Sequence, residues 1–87
     1  MGKRKYPPLS SSEVISILQA LGFELKRQRG SHQHYEGLAE DAKTRKIVTV
    51  DSSVDEFWED LMKSMVRQSG WSRERFYRAT RKTGKKI

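Results

Sequence analysis

The chain has 87 residues, with 18 lysines and arginines against 11 aspartates and glutamates, for a formal charge of +7. At 34% hydrophobic content it holds about thirty apolar residues, enough for one small core and too few for a barrel, a doubly wound sheet or a second domain. The absence of cysteine removes disulfides and thiolate metal sites and fits a reducing cytoplasm, no run is long enough to span a membrane, and a polyanion is the default partner.

The first five residues, Met1–Lys5, are basic and run into Tyr6-Pro7-Pro8 instead of an apolar stretch, so they read as a basic arm (residues 1–8) and not as a signal peptide. Ser10 followed by Glu13 has capping-box spacing, with Ser11 or Ser12 as alternative caps, and Val14, Leu18 and Leu21 then repeat at i, i+4, i+7 with Ile15 widening the stripe. The spacing predicts a helix over about Ser11–Leu21, ended by Gly22. Phe23–Gln28 sets Phe23, Leu25 and Arg27 against Glu24, Lys26 and Gln28, the alternation of a half-buried strand. Arg29-Gly30 reads as a hairpin turn, Ser31–Glu36 as the returning strand, Gly37–Lys43 as a loop into which Leu38 could extend the strand, and Lys46–Val50 as a third strand. A second helix carries Trp58, Leu61, Met62, Met65 and Val66 at 3/4 spacing, with Phe57 broadening the face, and Gly70 ends it. Ser72 caps a short third helix, with Trp71 and Phe76 at staple positions. The order is α-β-β-β-α with a short extra C-terminal helix: an α+β fold with a three-stranded antiparallel sheet, one face on the helices and the other open.

The charge is distributed in blocks. Asp51, Asp55, Glu56, Glu59 and Asp60 read as the acidic start of the second helix, matching the helix dipole, in preference to a metal site. From Arg67 onward stand eight basic residues and one acid, and residues 81–87 read as a basic tail. A third basic group, Lys26, Arg27 and Arg29, adjoins Gly30.

Arg27-Gln28-Arg29-Gly30-Ser31-His32-Gln33-His34-Tyr35 is the densest chemical signal. It joins cations that hold phosphate, a glycine that lets backbone approach a ligand, and imidazoles that titrate near neutrality. If Tyr35 faces the core, alternation puts His32 and His34 together on the open face. An exposed histidine beside two arginines suits phosphodiester chemistry, the imidazole moving a proton and the cations stabilising the charged phosphorane. Against this stands a plainer reading, two surface histidines on a strand. Two histidines make an incomplete metal set, and there is no P-loop, dinucleotide-binding glycine motif or nucleophile elbow.

Leu9-Ser10-Ser11-Ser12-Glu13-Val14-Ile15, Leu21-Gly22-Phe23 and Arg27-Gln28-Arg29-Gly30-Ser31-His32 resemble the N-terminal half of the HicA toxin family, and Lys46-Ile47-Val48-Thr49-Val50 with Ser64–Glu74 resemble the second half. The resemblance covers about residues 7–80, and a single HicA-like domain is expected over 9–80. It implies a double-stranded-RNA-binding-domain-like fold and a toxin that cleaves messenger RNA without the ribosome, restrained by a HicB antitoxin. It also implies that activity depends on His32, the histidine of Gly-Ser-His, and assigns no role to His34. The long Gly37–Arg45 loop, Phe57-Trp58-Glu59-Asp60 and the basic tail depart from the commoner pattern of the family.

The expected function is that of a metal-independent, cofactor-free endoribonuclease, with catalytic His32 as general acid or base. Lys26, Arg27, Arg29, Gly30 and Ser31 would contact RNA. Cleavage needs a second proton carrier, for which water, His34 and a second subunit all remain open. The alternatives are a non-catalytic RNA-binding module of the same fold and a helix-turn-helix DNA binder built on the last two helices, an account in which the strands have no role.

Overall fold

The computed structural model describes residues 8–79. Most of the expected basic arm (1–8) and all of the basic tail (81–87) lie outside the described residues. The elements are α1 (Ser11–Ala20), β1 (Glu24–Arg29), β2 (His32–Leu38), β3 (Arg45–Asp51), α2 (Glu59–Ser69) and α3 (Arg73–Arg78). The strands form an antiparallel meander in the order β1-β2-β3. This is the α+β architecture expected from the residue pattern, and it matches the double-stranded-RNA-binding-domain-like fold that the family resemblance implies. Among the described residues no helix is long and apolar enough to cross a membrane.

Local sequence accounts for the helix ends. The Ser10 hydroxyl accepts from the Glu13 amide at 3.2 Å while the Glu13 carboxylate accepts from the Ser10 amide at 2.8 Å, which completes the capping box and satisfies two otherwise unpaired donors. Gly70, at φ 76°, ends α2, and the Ser72 hydroxyl accepts from the Arg75 amide to start α3.

Both long helices pack over β3, so the core lies between them and one face of the sheet. Val14, Ile17 and Leu18 of α1 form one buried cluster with Tyr35, Val48 and Val50 of the sheet, Met62, Met65 and Val66 of α2, and Phe23, Phe76 and Tyr77. The helix layer does not reach across β1, every residue of which is exposed, Leu25 included. Phe57 is buried, but ahead of α2: it pairs with Leu9 in an isolated antiparallel bridge, its amide donating to the Leu9 carbonyl at 2.8 Å.

Four expectations are corrected. The buried stripe of α2 is Met62, Met65, Val66 and Ser69; Trp58 sits at the cap, outside the helix, and it and Leu61 stay exposed. Tying Phe57 to Leu9 fixes how the chain enters the helix, and Trp58 consequently lies outside the core-facing stripe. The second strand runs through Gly37 and Leu38, which leaves a loop shorter than Gly37–Lys43. Gly37 pairs with Lys46 in the ladder, and glycine is required there because a Cβ would lie 2.7 Å from the Phe23 ring, itself buried in the core. The simple alternation of β1 breaks between Leu25 and Arg27, and Asp51 belongs to β3 and not to the start of α2.

Candidate active site on the open sheet face

The break in β1 is a β-bulge at Lys26. Leu25 pairs with Tyr35, but Arg27 pairs with His34, Gln28 with Gln33 and Arg29 with His32. In a regular strand Arg27 and Arg29 would share the face of Leu25. One extra residue reverses that, because directly paired residues in an antiparallel ladder lie on the same face. Since Tyr35 is buried against the helices, His32 and His34 project to the open face, and the bulge places Arg27 and Arg29 there with them.

Strand β3 completes two rows across the sheet, Arg29–His32–Asp51 and Arg27–His34–Thr49. Each histidine occupies the middle strand with an arginine on one side and an oxygen-bearing side chain on the other. The His32 Nε2 lies 3.6 Å from the Asp51 Oδ2, an ion-pair separation that becomes attractive when the ring is protonated. The His34 Nδ1 and the Thr49 hydroxyl are hydrogen-bonded at 3.0 Å. His32 is well exposed, its side chain retaining 58% of its accessible surface, while His34 is half-buried.

Two turns hold the first row in place. Gly30 and Ser31 make the turn between β1 and β2, with Gly30 at φ 57°, where a side chain would be strained. The Ser31 carbonyl accepts from the Ser52 amide at 2.8 Å and the Ser52 hydroxyl at 3.1 Å, which clamps this turn to the one after β3. The Asp51 Oδ1 accepts from the Ser53 amide at 2.9 Å and the Ser53 hydroxyl at 2.6 Å. The Ser53 hydroxyl and amide, then the Ser31 hydroxyl, with a smaller contribution from His32, hold the Asp51 carboxyl down at about 2. Asp51 is therefore an anion across the whole range in which a histidine exchanges its proton.

The structure brings His32, Arg27, Arg29, Gly30 and Ser31 to one end of the open face. Lys26 stands apart: it is the bulged residue, and its ammonium lies 3.4 Å from the Glu24 carboxylate. The next row pairs Glu24 directly with Glu36, a like-charge contact offset by Lys26 on one side and by Arg45, 3.2 Å from Glu36, on the other. Asp51 is the residue that sequence reasoning missed. It was grouped with Asp55, Glu56, Glu59 and Asp60, whereas only Glu59 and Asp60 occupy the first turn of α2. Extending the third strand by one residue and counting pairs from the loop between β2 and β3, where Leu38 meets Arg45, places it opposite His32. Among the described residues no three histidine, aspartate or glutamate side chains are grouped to hold a metal ion.

A family model described as the HicA toxin of bacterial toxin-antitoxin matches residues 11–71. The chain belongs to the HicA toxin family. No curated protein matches it. The matched segment contains α1, the sheet and α2, so every residue of the two histidine rows lies within the HicA-like part, and α3 falls just beyond it.

Proposed function

We propose that this HicA family member is the toxin of a toxin–antitoxin pair and acts as an endoribonuclease on messenger RNA in the cytoplasm, with a HicB-type antitoxin as its restraining partner. The observation that carries the reading is the position of His32, exposed between Arg29 and the Asp51 carboxylate on an uncovered sheet face. RNA brings its own nucleophile, so a small domain needs only to position the phosphate and move protons. His32 removes the 2′-hydroxyl proton, and Asp51 faces the imidazolium that forms. Arg29 and Arg27 balance the charge that builds on the phosphate oxygens. Gly30 and Ser31 shape the approach, and Lys26 adds attraction for the backbone from one row farther away. No step draws on a metal ion or cofactor. The functional unit on this reading is the single domain 9–80.

Incubation of the purified protein with RNA in excess chelator is expected to yield fragments. Retention of intact RNA on the protein would instead identify a non-catalytic RNA-binding module.

Replacement of Asp51 by asparagine keeps the shape of the second turn but removes the charge opposite His32. A single-turnover cleavage rate reduced about tenfold is expected, the equivalent of ~1.4 kcal/mol in the barrier. The pH range of the test is set by the Asp51 carboxyl itself, which is ionised above about 2, so the defect is expected at every working pH.

A further inference from the structure

We propose that His34 is the second proton carrier of this site, donating the proton that the departing 5′-oxygen requires. The proposal rests on the RNA-cleavage reading of His32 and adds a catalytic residue to it.

The fold makes no evident demand for an imidazole at position 34. The side chain lies on the open face, opposite the core-facing Tyr35, and a polar or β-branched residue would serve the strand equally well. What the structure does provide is a fixed ring. The His34 Nδ1 is bonded to the Thr49 hydroxyl at 3.0 Å, and a hydroxyl both donates and accepts, so the ring is held in the same way whether Nδ1 carries a proton or not. The Nε2 atom has no hydrogen-bond partner among the described residues, and since no partnerless side-chain nitrogen among them is fully buried, Nε2 retains access to solvent. A ring anchored by one nitrogen and open at the other is arranged to pass a proton outward.

Spacing supports the same assignment. His32 and His34 are two residues apart on one strand and share a face, so their backbones are separated by ~6.6 Å. In an in-line displacement the attacking and departing oxygens lie on opposite sides of phosphorus. A base and an acid, each ~3 Å beyond its own oxygen, then need a separation that exceeds the backbone spacing by a few ångström, which rotation of the exposed His32 side chain away from the anchored His34 ring supplies. A phosphodiester lying along β2 meets a histidine at each end, with Arg29 beside the first and Arg27 beside the second.

The proton account closes. His32 takes the proton of the 2′-hydroxyl, the 2′-oxygen bonds to phosphorus, and the bond from phosphorus to the 5′-oxygen breaks. The departing oxygen takes the electron pair and receives the proton of the His34 imidazolium. The products are a 2′,3′-cyclic phosphate and a 5′-hydroxyl, and exchange with water returns both rings to their starting forms. Asp51 stands beside the ring that gains charge, which suits His32 to the role of base. His34 has a cation and a hydroxyl for neighbours, which suits it to giving charge up.

The test compares an ordinary RNA oligonucleotide with one in which sulfur replaces the bridging 5′-oxygen at a cleaved linkage, since a thiolate departs without needing a proton. His34→Ala and His34→Asn, the latter able to keep the bond to Thr49, are expected to cleave ordinary RNA about a hundredfold more slowly than the unaltered protein. On the sulfur-bridged RNA both are expected to recover to within a few-fold of it, whereas His32→Ala stays slow on both. An undiminished rate on ordinary RNA, or an equal defect on both substrates in folded His34 variants, would overturn the role of His34 and leave that of His32 standing. Failure of the unaltered protein to cleave either substrate would overturn the RNA-cleavage reading and this proposal with it.

Discussion

Replacement of His32 by alanine is expected to abolish RNA cleavage and growth inhibition and to leave the fold intact. The expected loss is at least about 10²–10⁴-fold in rate, the range associated with a positioned proton-transfer group. The separation of activity from stability follows from where the side chain sits. His32 projects from the middle strand into solvent between Arg29 and Asp51, and Asp51 already has the Ser53 amide and hydroxyl to stabilise its charge. Removing the imidazole therefore leaves no buried polar group unsatisfied and no cavity in the core. A circular dichroism spectrum and denaturation midpoint close to those of the unaltered protein are expected, alongside intact RNA in the cleavage assay and normal growth of cells producing the variant. A folded His32→Ala protein that still cleaves RNA would remove His32 from the chemistry altogether. Comparison with Asp51→Asn grades the site: a silent His32 variant and a merely slowed Asp51 variant are what a base and the charge facing it should give.

How far this arrangement could be read from the chain depends on whether the deciding interaction is local. The Ser10–Glu13 capping box involves residues three apart, and its signature in the sequence is the structure itself. The same holds for the Gly30 turn, for the left-handed Gly70 and for the placement of His32 and His34 on the face opposite Tyr35. The face of Arg27 and Arg29 was not legible, because strict alternation assigns them to the Leu25 side and only the unpaired Lys26 reverses them. A bulge is chosen by pairing with β2, which nothing within β1 encodes. Asp51 was hidden for a related reason. Along the chain it adjoins the acids before α2, and its partnership with His32 exists only once β3 is in register with β2. Trp58 and Leu61 fit the 3/4 pattern of α2 but not its buried face, since the Leu9–Phe57 bridge determines where the helix starts. The site is thus a product of register: cations, imidazoles and carboxylate come from three strands and meet only across the ladder.

The helix that follows the matched segment is expected to be as necessary to stability as the sheet is to the chemistry. At six residues α3 is far below the length at which a helix persists by itself in water, so it forms only because its side chains are used elsewhere. Phe76 is fully buried and Tyr77 nearly so, both in the same core cluster as Val14, Ile17 and Val48. Replacement of Phe76 by alanine is expected to cost about 3–5 kcal/mol, the loss of a large buried ring plus the cavity it leaves. A domain with about thirty apolar residues has little more than that to lose, since net stabilities start near ~5 kcal/mol and the smallest cores fall at the low end. The variant is therefore expected to be largely unfolded at 37 °C, with a denaturant midpoint shifted far below that of the unaltered protein. Loss of α3 would also reach the open sheet face. Glu40, just beyond β2, accepts from the Ser72 amide at 3.0 Å and pairs with Arg75 at 3.1 Å, so the strand that carries both histidines is tied at its far end to this helix. Inactivity of Phe76→Ala would then come with a lost midpoint, in contrast to His32→Ala, where it comes without one. An unaltered midpoint in Phe76→Ala would show that α3 merely rests on a core already complete without it.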